Sequence, residues 1–412
     1  MIRMDVAERR RRLAVRHGLR DGQRPEDPVT VARQLVALHS TDPASVYLAV
    51  RARTAASVSP AVIGEELYES RRLVRMLAMR RTVFVVPAES VPVVQVSTTS
   101  RVGKVQRARL LKLLTEAGTV AEPEPWLADV ERSVLRSLAG RGGTATAVEL
   151  SSDEPRLRTP VLLADGKPYQ SGQNITSRVL LVLSAQGRIV RGRPVGSWLS
   201  QQYRWALTER WLPDHAVRAE SWSEAAARTE LARQWLAAYG PAPLTDLKWW
   251  TGWPVTDVRA AAAELGVVQV DLGSGTGSGT GGGSVGGTGG GTGVVLPGDL
   301  AATPDPGHWA ALLPALDPTI MGWSDRSAFL GPHGPALFDT SGNAGPTIWL
   351  DGRVIGGWAQ RADGEIAIRL LEDAGADASA LIEAEAARVG AWLGDVRVIP
   401  RFRTPTEREL SA

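Results

Sequence analysis

A histidine, a hydroxyl and a carboxylate fall within four residues of one another at His39, Thr41 and Asp42. An imidazole whose ordinary pKa lies near neutrality can orient or deprotonate a water. Thr41 can hydrogen-bond such a water, or a phosphate, but cannot serve as base, and Asp42 supplies the only nearby carboxylate. A plainer reading stands beside this one. Asp42-Pro43 has the form of a helix start, with Asp as N-cap and Pro in the first turn, and His39 and Thr41 then read as a structural histidine and a turn residue. The other histidines, His17, His215, His308 and His333, have no metal-ligand spacing. There is no cysteine in the chain. That excludes a disulfide framework, Cys-ligated zinc, an iron–sulfur cluster and a thiol nucleophile. Neither a metal nor a cofactor is expected.

The elements that must carry these residues follow from pattern. His39–Pro43 splits the run from Val31 to Arg53 into two amphipathic helices, Ser59-Pro60 opens a third to about Ser70, and 74–87 reads as strand, turn and strand. The order recurs. Helices fit 126–139, 144–151 and 174–185, followed by a ribbon from Gln186. Helices also fit 223–239, 244–251 and 256–265, with Gly240-Pro241 and Gly266 as stops and a strand at 267–271. Three copies of helix–turn–helix–helix–ribbon argue for tandem winged helices, as a repeat of pattern without an obvious repeat of sequence. The final stretch is β-rich, with a hairpin at 347–360 turning on Asp351-Gly352, a strand within 362–371, a helix at 378–393 and a last strand at 395–402. The fold class expected is therefore α+β, with boundaries at 1–115, 120–215, 220–300 and 301–412. Of the 21 residues from 273 to 293, 13 are Gly, which reads as a linker or a long wing tip. A GxSxG string at Gly282–Gly286 lacks the strand and capped helix that a nucleophile elbow needs.

The chain has 412 residues, with 47 basic and 44 acidic side chains, a formal net charge of +3. That average suggests little for nucleic acid, but the charge is unevenly spread. Residues 71–112 hold ten basic residues against Glu89 alone, and 178–210 hold six Arg against Glu209 alone, while 362–396 is acidic. Clustered Arg on helix–turn–helix units attracts a phosphate backbone. The residues expected to touch DNA are Arg75, Arg80, Arg81, Arg101, Lys104, Arg107, Arg178, Arg191 and Arg193. No apolar run is long enough to span a membrane, and the N-terminus is too charged for a signal peptide. A cytoplasmic monomer is the expectation.

Five blocks carry a family resemblance. LVALHSTDPASVYLAVRAR (35–53) resembles a block LxxLQxQDPxxxxLxLxxR of the AlkZ-like winged-helix DNA glycosylases. RRLVRMLAMRRTVFVVP (71–87), AYGPAPLTDLKWWTGW (238–253), LLPALDPTIMGWSDRSAFL (312–330) and NAGPTIWLDGRVIGGWAQR (343–361) follow in the family's order. The resemblance implies three tandem winged-helix units and a C-terminal β domain, C-shaped around a basic cleft that receives double-stranded DNA. It implies hydrolysis of the N-glycosidic bond of bulky or cross-linked N-alkylated purines, in repair or self-resistance. The family's chemical signature is Gln-x-Gln or Gln-x-Asp, with a variant that has His first. Here the position reads His39-Ser40-Thr41, so His39, Thr41 and Asp42 become the candidate catalytic residues.

Arg326 and Arg353, in the C-terminal blocks, are candidate phosphate contacts. An internal Asp325–Arg326 salt bridge fits Arg326 equally well. Trp249 and Trp250 read as core. The alternatives to a glycosylase are a catalytically silent winged-helix DNA-binding protein, which the Thr at 41 favours, and a binder that traps a small toxic metabolite directly.

Overall fold

Two helices in the first part of the chain begin where an Asp cap meets a proline. In this computed structural model, which describes all residues except 21, 23, 56–57, 164–170 and 274–290, Asp5 caps α1 (Val6–Arg16). Asp27 caps α2 (Pro28–Gln34), accepting the amides of Val29 and Thr30. Asp42 caps α3 (Pro43–Arg51) after a short strand β1 (Leu38–His39). Pro at the first helical position costs nothing there, because its missing N–H would have no intrahelical partner. α4 (Pro60–Tyr68) leads into the hairpin β2 (Leu73–Leu77) and β3 (Val83–Pro87), and β1 pairs with β3 to complete a sheet ordered β1-β3-β2. Residues 38–39, expected as a plain break between two helices, thus form a strand.

The second stretch runs α5 (Ser100–Ala117), α6 (Pro123–Gly140), α7 (Ala147–Asp153), α8 (Thr176–Ala185), β4 (Ile189–Pro194) and β5 (Tyr203–Leu207). The helix expected from 144 starts at Ala147, capped by Thr146 through a capping box with Glu149. Thr144–Ala145 pairs with β5 instead, repeating the place of β1 in the first stretch. The third stretch has α9 (Glu224–Tyr239), α10 (Leu244–Thr251), α11 (Val255–Glu264), β6 (Val268–Asp271) and β7 (Thr292–Val295). Its inter-helix segment also touches the ribbon, as the bridge Ala242–Val294, and Ile2–Arg3 adds a parallel edge to β6. The Gly-rich stretch 273–293 falls almost wholly outside the described residues, Gly282–Gly286 included.

The remainder is a four-stranded antiparallel sheet, β8 (Ala310–Leu313), β9 (Thr347–Leu350), β10 (Arg353–Gln360) and β11 (Ile366–Leu370), covered by α12 (Ala376–Leu393). Asp351 and Gly352 both adopt left-handed φ, 49° and 80°, as a two-residue hairpin turn of this hand requires. The strand expected at 395–402 is not formed. That segment is irregular, and the Gln360 side chain bonds Val396 O and Val398 N in place of a ladder. Pro400 lacks the donor a strand would need. α13 (Pro405–Leu410) then closes the chain against β10.

The second stretch has a core of its own, while one hydrophobic core joins the first and third stretches to the C-terminal part. Leu13, Met76 and Phe84 share it with Trp235 and Trp250 of the third stretch and with Trp323 and Trp349 beyond. At its side Arg53 and Asp317, both with fully buried side chains, pair in two parallel bonds of 2.9 and 2.7 Å. Thr319 bonds both the Arg53 guanidinium and Nδ1 of the buried His17.

Candidate functional site

The motif loop sits where a sheet edge becomes a helix. His39 lies opposite Phe84 in the β1–β3 ladder, and the Ser40 amide donates to Val83 O at 2.8 Å. The chain then turns through Thr41 into α3, whose first free amide, that of Ala44, donates to Asp42 Oδ1 at 3.1 Å. From the far end of the chain, the Arg401 amide donates to Asp42 Oδ2 at 2.9 Å and Arg401 Nη1 donates to Thr41 O at 3.3 Å. His39, Thr41 and Asp42 are thus held by a sheet, a cap and a strap. The Thr41 hydroxyl is half-buried and makes no hydrogen bond among the described residues.

His39 is only 7% exposed and packs edge-on against Phe84, with ring centroids 5.2 Å apart. It shares a small cavity with Ala37, Arg80, Phe84, Trp250, Pro318 and Met321, whose free space of about 10 Å³ is that of one water. Its Nδ1 has no hydrogen-bond partner among the described residues. Burial, then the nearby positive charge of Arg80, pushes its pKa down to about 3. The imidazole is therefore neutral near pH 7. A neutral ring with a free nitrogen can hold a water in place, but at that pKa it is a weak proton acceptor. Of the two actions expected of His39, orienting a water fits this environment and deprotonating it does not. Asp42 is buried as well, and burial raises its pKa against the lowering effect of the Arg401 and Ala44 amides and of Arg401 and Arg75. The cavity Asp42 lines with Ser45, Leu48, Trp358 and Gln360 has about 20 Å³ of free space. Neither cavity holds a nucleobase. Ser40 Oγ and Ser45 Oγ are also buried without partners among the described residues, so unsatisfied polar atoms gather around the motif.

A comparison of the sequence with family models decides the relationship. A model described as DNA glycosylase AlkZ-like matches residues 32–392. The chain belongs to this AlkZ-like family. The matched span contains the motif loop and all the expected contact residues, and ends before Arg401. A comparison with curated protein sequences gave no match. The solved structure of the DNA glycosylase AlkZ from Streptomyces sahachiroi is similar in fold, with a TM-score of 0.70 at 20% identity over 96% of this chain and 99% of that one.

The expected contact residues of this AlkZ-like chain fall into groups. Arg75 and Arg191 lie on β2 and β4, two strands from different stretches that pack together. Arg80 and Arg81 form the β2–β3 turn, both with left-handed φ, 53° and 59°, a strained state for non-glycine residues. Arg80 lies over the Trp249 ring at 4.0 Å and Arg326 over the same ring at 5.2 Å. Burial first, then Arg80, lowers the Arg326 pKa to about 10. Trp249, expected in the core, does pack against it but is only half-buried, with two guanidinium groups over its ring. Arg81 bonds Gln106 on α5 and acts electrostatically on Arg178 of α8.

Others are occupied within the protein. Arg107 pairs with Glu124 and Glu131, Arg193 with Glu69, and Arg353 with Glu372. Arg101 approaches Asp257 at 3.9 Å, and Lys104 is exposed. The Asp325–Arg326 bridge is absent among the described residues, where Arg326 Nε donates to Ile320 O. Sequence reasoning missed Arg401 and Tyr203, because nothing local marks either. Among the described residues no group of three or more His, Asp or Glu could hold a metal, and no helix is long and apolar enough to cross a membrane.

Proposed function

We propose that this AlkZ-like chain is a monofunctional DNA glycosylase that hydrolyses the N-glycosidic bond of bulky or cross-linked N-alkylated purines, in repair or self-resistance. In this reading three winged-helix units and the C-terminal β domain surround a basic cleft, and double-stranded DNA is the partner of a cytoplasmic monomer. Membership of the family across residues 32–392 carries the reading. The chemistry asks little of the protein. An N7-alkylated purine is already cationic, so it departs without acid assistance. What remains is to place a water at C1′ and to stabilise an oxocarbenium-like sugar. His39, neutral and with a free Nδ1, accepts a hydrogen bond from that water. The Thr41 hydroxyl offers a second, and Asp42, whose carboxylate accepts the Ala44 and Arg401 amides, holds the turn that places Thr41. The C1′–N bond breaks with its electron pair passing to the purine, water forms the C1′–O bond, and the products are the free neutral base, an abasic site and one proton released to solvent. None of the four lysines lies in the motif, which fits hydrolysis by water rather than attack by an amine. The one-water cavity at His39 favours a lesion reached without extrusion into a tight pocket, unlike base-flipping enzymes.

A second reading, a silent DNA-binding protein, is favoured by the 7% exposure of His39. One experiment separates the two. Purified protein is incubated with duplexes carrying N7-methylguanine or a bulky N7 adduct, and alkali-labile sites are scored. Excision that His39→Ala reduces while binding persists supports the glycosylase. Binding without excision of either lesion supports the silent protein.

A further inference from the structure

We propose that Arg75, Arg191 and Arg401 form a subsite for a phosphate group beside the Thr41–Asp42 turn, and that its ligand is the DNA phosphodiester flanking the nucleotide that reacts. The identity of the ligand rests on the glycosylase reading, whereas the affinity for phosphate does not.

Arg75 is 3% exposed, yet its Nε and Nη2 have no hydrogen-bond partner among the described residues. A buried donor left unpaired costs about 1–3 kcal/mol, more when charged. Such a cost is tolerated where a ligand relieves it. Arg191 stands on β4, the strand packed against β2, and lies over the rings of Tyr203 and Trp205 at 4.6 and 5.5 Å. A guanidinium stacked on a ring keeps its in-plane N–H groups for an acceptor. Arg401 arrives from the C-terminal strap, bonded to Thr41 O. The charges act on one another: Arg191 and Tyr203 each feel both Arg75 and Arg401, and Asp42 feels Arg401 and Arg75.

Two of these cations, Arg401 and Arg75, thus act on one carboxylate, Arg191 acts on both of them, and both oxygens of that carboxylate already accept backbone amides. None of the three arginines is ion-paired among the described residues. The assembly carries an excess of positive charge and a set of unfilled donors, which a phosphate satisfies by bidentate hydrogen bonding. Its position next to Thr41 places that phosphate beside the reacting sugar. Because Arg75 and Arg191 belong to different stretches of the fold, the ligand would also fix how those stretches grip the duplex.

Two measurements test this. In the first, thermal unfolding is followed in inorganic phosphate and in chloride at matched ionic strength. Phosphate should raise the Tm of the wild type, and Arg75→Met and Arg191→Gln should abolish the increment. In the second, binding is measured for adduct duplexes in which one phosphodiester at a time is replaced by an uncharged methylphosphonate. One linkage beside the adduct should weaken wild-type binding roughly tenfold. In Arg191→Gln, that linkage should cost no more than any other. Should Arg75→Met fail to fold, the partly exposed Arg191→Gln carries both measurements. An equal loss at every linkage, or an unchanged linkage profile in the variant, overturns the subsite even when excision is intact. If adduct DNA is neither bound nor excised but the arginine-dependent phosphate shift is present, the glycosylase reading and the DNA ligand fall while the phosphate site stands.

Discussion

Arg401, 359 residues downstream of Asp42, donates its backbone amide to the Asp42 carboxylate at 2.9 Å. The same carboxylate caps α3 with its other oxygen, so one side chain frames the motif turn from two directions. Asp42→Ala should lower stability by about 2 kcal/mol, from the lost cap and an unpaired Arg401 amide. Urea denaturation measures this. Asp42→Asn keeps an oxygen for the cap and should lose less. Its single-turnover excision rate should fall by less than about tenfold, because Asp42 is enclosed and acts chiefly by positioning Thr41. A larger loss in a stably folded Asp42→Asn would make its charge part of the chemistry.

Arg53 and Asp317 test the link between the first stretch and the C-terminal blocks. The pair is fully buried and doubly bonded. Removing one partner strands a charge, so Asp317→Ala should cost about 3–5 kcal/mol. The double replacement Arg53→Met with Asp317→Leu should cost clearly less than the sum of the singles. A double-mutant cycle by chemical denaturation reads the coupling, and additive losses would refute it.

The helices bounded by punctuation were legible in the sequence. Leu244–Thr251 and the caps at Asp42 and Ser59-Pro60 stand where expected, because Pro and Asp act locally. The failures are of two kinds. Arg101–Lys112, the end of the basic span 71–112, forms most of the helix Ser100–Ala117, whose Leu110 and Leu114 are buried in the core of the second stretch. Residues 395–402 have the alternation of a strand but meet Pro400 and the Gln360 side chain. The candidate site divides in the same way. The position of His39 was legible only through the family blocks, whereas its pKa depends on burial and on Arg80, and that burial on Phe84, Trp250 and Pro318, drawn from three parts of the chain. Tertiary neighbours so remote leave no local mark.

Trp249 carries a prediction that follows from its place between the core and two arginines. The ring holds Arg80 and Arg326 together despite their like charge. Cation–π contacts at such half-exposed sites contribute roughly 0.5–2 kcal/mol each. Trp249→Ala should therefore change stability modestly but weaken DNA binding, since both arginines lose their fixed place. The salt slope of binding should stay near that of the wild type, because no charge is removed. Trp249→Phe should recover part of the affinity. A core role would instead give a large stability loss with unchanged affinity per folded molecule.

The buried histidines predict how stability depends on pH. His17 and His39 are both held at about 3 in the folded protein by burial, with Arg53 and Arg80 respectively adding repulsion. In the unfolded chain each titrates near 6.5, so below that pH the unfolded state binds protons that the folded state does not. Stability is then fully present above about pH 6.5 and falls as pH drops from there towards 3. At pH 5 the loss is of the order of 2 kcal/mol per histidine. Asp246, raised to about 6 by burial, acts in the opposite sense, since its folded form gains a proton first. The contribution of His39 is therefore isolated by difference. His39→Asn should flatten the change in unfolding free energy between pH 7 and pH 5 by about 2 kcal/mol relative to the wild type. The excision rate of the wild type should show no step near pH 6.5, because His39 stays neutral throughout that range. A rate step near 6.5 that disappears in His39→Asn would mean that the imidazole is exposed and titrating in the DNA complex.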